Sequence, residues 1–191
     1  IPPVLKYVDI PSVYYLHEPF GPNFFRPIER PYDQQKTRRR EVINRFDPFI
    51  RLYGKRLASM QKQSVLQTSH LLANSQFTRE YMQKEFGRDS EFIPYGDDLI
   101  GFQPVKNTQR EDFVVSVGEM SARKGFDFIV KSLGKIPAGK RPALKLACNM
   151  VNQDELSFVN GLAENNQVNL EVLIGLGVKE LRTLYNRARL C

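Results

Sequence analysis

Two glycines and two cations lie close together in Gly118-Glu119-Met120-Ser121-Ala122-Arg123-Lys124-Gly125. Residues of these types could hold a phosphate. Lys124 would bring a mobile charge, and a helix starting beside it would add free N–H groups and the positive end of its dipole. Gly125 would let the backbone come close to such a ligand. The second group with chemical capacity is His17, in Tyr14-Tyr15-Leu16-His17-Glu18-Pro19, whose imidazole titrates near neutral pH. Both have plainer readings. Lys124 could sit on an ordinary turn, and His17 could be a surface histidine in a loop.

The elements that must position these residues follow from periodicity. Phe113 to Val117 is a short apolar run rich in β-branched residues and bounded by Gly118, the pattern of a buried strand. Phe126, Ile129, Val130 and Leu133 then fall at helical spacing. The turn between them therefore joins a strand to a helix, and in a parallel α/β unit it lies at the carboxyl edge of the sheet, where ligands bind. Ala143 to Cys148 and Val168 to Ile174 read as further strands. Gln153 to Asn165 reads as a helix, and Leu181, Leu184, Tyr185 and Ala188 stripe a last one. Three βα units in succession predict a Rossmann-like sheet. Three strands are few for such a sheet, so it is expected to be incomplete, with edges prone to self-association.

In the first half, Ser12 to Leu16 reads as a strand ending at His17, which Pro19 prevents from continuing. Residues 20–36 form a long loop rich in proline, aromatics and arginine. Residues 37–64 read as helical, with Val42, Ile43, Phe46, Phe49, Ile50, Tyr53, Leu57 and Met60 as the apolar stripe and Pro48 dividing or kinking it. Ser64 to Ala73 is a strand candidate. Ser75 or Thr78 would cap a helix carrying Phe77, Tyr81, Met82 and Phe86 that ends at Gly87. Glu91 to Pro94 is a short strand, and the polar residues 105–112 read as a linker.

The 191 residues can bury a sizeable core, and 41% hydrophobic with 26% charged residues is a globular composition. The two cysteines form neither a disulfide framework nor a metal-ligand spacing. With no signal-peptide pattern and no apolar run of membrane-spanning length, a cytoplasmic protein is expected. Of the net charge of +7, a surplus of six arises between Arg26 and Arg56, where ten Lys or Arg face four Asp or Glu. The cations of the predicted helix, from Arg38 to Arg56, fit a solvated face, an anionic membrane surface or nucleic acid. No nucleic-acid-binding motif accompanies them, so nucleic acid is not an expected partner.

Four segments, in this order, resemble the retaining glycosyltransferases of family four. They are Tyr14-Tyr-Leu-His17-Glu-Pro19; Leu72-Ala-Asn-Ser75-Gln-Phe-Thr78; Ile93-Pro94-Tyr-Gly96-Asp-Asp98 with Phe102-Gln-Pro104; and Val117-Gly118 through Lys124-Gly125. The resemblance implies an α/β fold of two Rossmann-like domains (GT-B type), both incomplete here. Residues 1–104 would belong to the acceptor-side domain, 105–112 to the linker and 113–191 to the donor-binding domain. It implies sugar transfer from a nucleotide-sugar donor to a glycan or lipid-linked acceptor, with no metal and no cofactor beyond the donor itself. His17 would line the cleft near the transferred sugar as the catalytic-site residue. Gly118, Glu119, Arg123, Lys124 and Gly125 would form the donor site, with Lys124 on the diphosphate, and Pro94, Gly96 and Asp98 would belong to the hinge. The family's carboxylate pair falls beyond Cys191, so residues 1–191 alone are expected to be inactive.

One position departs from the family pattern: Glu119 stands where a phosphate-binding arginine is expected. That motivates a second expectation, a member that binds a nucleotide without transferring sugar. A third is a basic α/β nucleic-acid-binding protein. The basic stretch 26–56 fits an anionic lipid-linked acceptor and a peripheral contact at the inner membrane face.

Overall fold

The computed structural model describes residues 3–7, 9–18, 28–33, 47–96 and 101–191. It is an α/β protein that divides into two compact units, Ile1–Asp97 and Asp98–Cys191, each built on a parallel sheet. The Rossmann-like character expected from the alternating pattern is present.

In the first unit, β1 (Val13–Leu16), β2 (His70–Ala73) and β3 (Glu91–Phe92) pair in that order, with Leu16 opposite Ala73 and Ala73 opposite Phe92. Leu16, Val65, Leu71 and Met82 form its core, with Tyr14, Tyr81 and Phe86 packed against them. Helix α1 (Pro48–Gln67) precedes β2, and α2 (Gln76–Phe86) links β2 to β3. Ser75 caps α2 through its hydroxyl, and Gly87 ends it at φ 66°, as the residue types predict.

Of the two alternatives for Pro48, the kink is absent and a helix start is found: Pro48 occupies the first turn of α1, and Asp47 accepts from Phe49 N at 2.8 Å and Ile50 N at 3.3 Å. Proline fits there because its missing N–H would have had no partner inside the helix. Ser64 to Gln67, expected as strand, instead complete the helix, and Thr68 Oγ1 closes it on Ser64 O at 2.7 Å. A short apolar run has no periodicity of its own, so the longer helical register absorbed it. The stripe is also buried unevenly. Phe49 and Tyr53 are exposed, whereas Leu57 and Met60 are half-buried. The 20–27 and 34–46 parts of the loop and basic helix, with Val42, Ile43 and Phe46, lie outside the described residues.

The second unit has four parallel strands in the order β6-β5-β4-β7. They are β4 (Glu111–Val117), β5 (Ala143–Cys148), β6 (Leu170–Ile174) and β7 (Ala188–Leu190). The helices α3 (Phe126–Gly134) and α4 (Gln153–Asn165) cover one face, burying Phe126, Val130, Leu144, Leu146 and Val159. On the other face Leu184 and Tyr185 of α5 (Val178–Arg187) pack on Phe113, Val115 and Ala188. The expected β4, β5 and β6 are there. The added strand, β7, follows α5 directly and pairs with β4, and Arg187 and Arg189 form ion pairs with Glu111 and Asp112. At three residues it is too short to carry a pattern of its own.

Two details hold α3 against α4. A Cβ on Gly134 would lie 2.8 Å from Asn166 Cβ, so the helix ends meet at a distance only glycine permits. Arg141 donates to Gly134 O at 3.0 Å, Ile136 O at 2.8 Å, Asn166 O at 2.8 Å and Gln167 O at 2.6 Å. One guanidinium thus answers carbonyls left open at the carboxyl ends of both helices.

Candidate functional site

In the second unit the turn Gly118 to Gly125 lies at the carboxyl end of β4 and leads into α3. Its backbone is pinned to the neighbouring β5–α4 connection. Gly118 N donates to Ala147 O at 3.0 Å, Met120 N to Met150 O at 2.8 Å, and Asn152 N to Met120 O at 3.1 Å. Met120 is fully buried in the hydrophobic core of this unit, and its neighbour Glu119 is exposed. A short 3-10 turn, Ala122–Lys124, follows, and Gly125 ends it at φ 68°. That positive φ is the reason for glycine visible in the fold, since a Cβ there would meet nothing within 4 Å.

The residues expected to form a donor site are brought together on this turn. The Lys124 stem lies across Gly118, its Cγ and Cδ 3.4 Å from where a Cβ on Gly118 would stand. Among the described residues neither the Glu119 carboxylate nor the Lys124 ammonium has an ion-pair partner. Arg123 is exposed. Asp127, in the first turn of α3, is held by Lys131 at 3.0 Å. The Ser121 hydroxyl is enclosed in the turn with no hydrogen-bond partner among the described residues, a feature no sequence pattern marked.

In the first unit His17 follows β1 at its carboxyl end. Asn74 Nδ2 donates to His17 O at 2.8 Å, and Asn74 Oδ1 accepts from Thr78 Oγ1 at 2.9 Å. The Leu72–Thr78 segment therefore holds the histidine's backbone. Around the imidazole are two tyrosines that the sequence reading did not single out. Tyr95 is hydrogen-bonded through its hydroxyl to His17 Nδ1, and the two rings are parallel within 5° at 5.4 Å between centroids. Tyr15 tilts against His17 at 4.7 Å and donates to Ile93 O at 2.5 Å. Burial and the adjacent Tyr95 push the Tyr15 phenol upward in pKa. The alternation Tyr15–His17 on one strand face was a usable signal for the first tyrosine. Tyr95, 78 positions away, had none.

Of the residues expected at a hinge, Pro94 and Gly96 follow β3, while Asp98 lies outside the described residues. Gly96 is not among the glycines with positive φ.

A crystal structure of a glycosyltransferase from Rickettsia africae ESF-5 aligns with 97% of this chain at a TM-score of 0.55 and 12% identity. The chain spans 66% of that structure's length. At that identity the likeness is one of fold alone. No family model matches the chain, and no curated protein does. No helix among the described residues is long and apolar enough to cross a membrane.

Proposed function

We propose that the protein, at its full encoded length, is a retaining glycosyltransferase of the GT-B type that moves a sugar from a nucleotide-sugar to an acceptor. The observation that carries this reading is the position of two unlike groups. An imidazole stands at the carboxyl edge of one parallel sheet, and a lysine with no ion-pair partner among the described residues stands at the carboxyl edge of the other. Edges of that kind are where α/β sheets bind ligands. The likeness of fold to a glycosyltransferase supports the same reading.

The nucleotide diphosphate lies against the Gly118–Gly125 turn, with Lys124 stabilising the charge that develops on the leaving phosphate. His17 orients or stabilises the sugar and does not act as the nucleophile. The segment from Pro94 through Asp98 is the hinge. The acceptor is a glycan or an anionic, lipid-linked molecule, and the exposed Lys55 and Arg56 of α1 suit the second kind. The protein works in the cytoplasm, with a peripheral contact at the membrane face.

Glu119 supports a second reading, nucleotide binding without transfer. Its exposed carboxylate repels a diphosphate approaching Lys124. Glu119→Arg removes that repulsion and adds a planar fork suited to phosphate. Calorimetric titration with a panel of nucleoside diphosphates should show tighter, more salt-sensitive binding for Glu119→Arg. No gain with any nucleotide would remove the diphosphate from this turn. Turnover of a nucleotide-sugar by the full-length protein separates transfer from binding alone.

A further inference from the structure

We propose that Tyr95 is the positioning residue of His17. Its hydroxyl donates to Nδ1 and fixes the neutral imidazole as the tautomer that presents Nε2–H to the bound sugar. The inference rests on the glycosyl-transfer reading only for its effect on turnover.

The geometry is specific. The imidazole acceptor lone pair lies in the ring plane, and the Tyr95 and His17 rings are parallel within 5°. Their centroids are 5.4 Å apart, and the Tyr95 hydroxyl is hydrogen-bonded to His17 Nδ1. In that contact the phenol O–H meets the Nδ1 lone pair. Tyr15 does not compete for Nδ1, because its own hydroxyl is engaged by Ile93 O. Its ring instead leans on both partners, at 59° to His17 and 64° to Tyr95. Asn74 holds the His17 carbonyl, so backbone and ring are fixed by different residues. With Nδ1 accepting, the imidazole proton is on Nε2. His17 then offers a donor to a sugar hydroxyl or to an oxygen gaining negative charge.

The test uses nitrogen NMR of the imidazoles, which is simple because the chain has two histidines. His70, at the start of β2, is the internal reference. In the unsubstituted protein, neutral His17 should be protonated on Nε2 with Nδ1 hydrogen-bonded. Tyr95→Phe keeps the ring and should return the Nδ1 signal toward its free value while leaving His70 unmoved. Nδ1 protonated in the neutral form, or a His17 signal identical in both proteins, overturns the proposal. The unsubstituted protein alone decides if the variant does not fold. The second arm follows nucleoside diphosphate released from a panel of nucleotide-sugars by the full-length protein. Tyr95→Phe should lower kcat about tenfold with KM unchanged, the scale of one lost hydrogen bond. An unchanged kcat overturns the catalytic role of the contact. If neither protein releases nucleotide while the NMR result holds, the hydrogen-bond assignment is supported and the glycosyl-transfer reading is overturned.

Discussion

At the scale of single residues, charge and backbone angle set the expected effects. Lys124→Ala should weaken nucleotide-diphosphate binding by about 1.5–3 kcal/mol, the worth of a charge-assisted contact, as read by calorimetry. Gly125→Ala should destabilise the second unit by about 1–2 kcal/mol, because a Cβ at φ 68° meets its own carbonyl although the surrounding space is empty. Urea titration measures it, and a loss of binding without a loss of stability would contradict the conformational account. His17→Ala should lower turnover more than nucleotide affinity. The reverse pattern would mean that the imidazole is not at the sugar end of the site.

Elements are held by contacts that cross between them. Arg141→Ala opens helix-end carbonyls of α3 and α4 at once and should cost about 2–3 kcal/mol in chemical denaturation. Arg141→Lys should recover only part of this, since an ammonium cannot reproduce the planar fork. In the first unit, Arg79 bonds both carboxylate oxygens of Asp89, at 2.9 and 3.1 Å, and holds its pKa below the usual carboxylate range. A depressed folded-state pKa means stability present above the unfolded value and lost as pH falls through the folded one. Asp89→Asn should therefore flatten the acid limb of the stability curve, with little change in shape at neutral pH. The pair is exposed, so the effect should also shrink in high salt.

Across the whole molecule, each unit has its own sheet and core, and the second has helices on both faces of its sheet. Residues 98–191 expressed alone should therefore unfold cooperatively. A broad, non-cooperative transition in circular dichroism would show that the core of this unit depends on residues outside it. The strong helix and strand patterns were legible because they repeat within a few residues. Ala143 to Cys148 and Gln153 to Asn165 have the bounds expected. The start of β2 was not, because Ser64 to Gln67 suit helix or strand and only the continuing helix from Pro48 chose between them.

The sequence by itself determined the α/β class, the βα turn that carries Lys124, and the end of a strand at His17. Each is written in local periodicity and in residues that start or stop an element. Tertiary structure alone decided that Lys124 folds back over Gly118, that three residues after α5 become a fourth strand beside β4, and that Tyr95 meets His17. The last two join positions more than seventy residues apart. Chain entropy opposes such pairings until the sheets have formed, and local pattern carries no information about them. Once β1, β2 and β3 are in register, the meeting of Tyr95 with His17 follows from where those strands end.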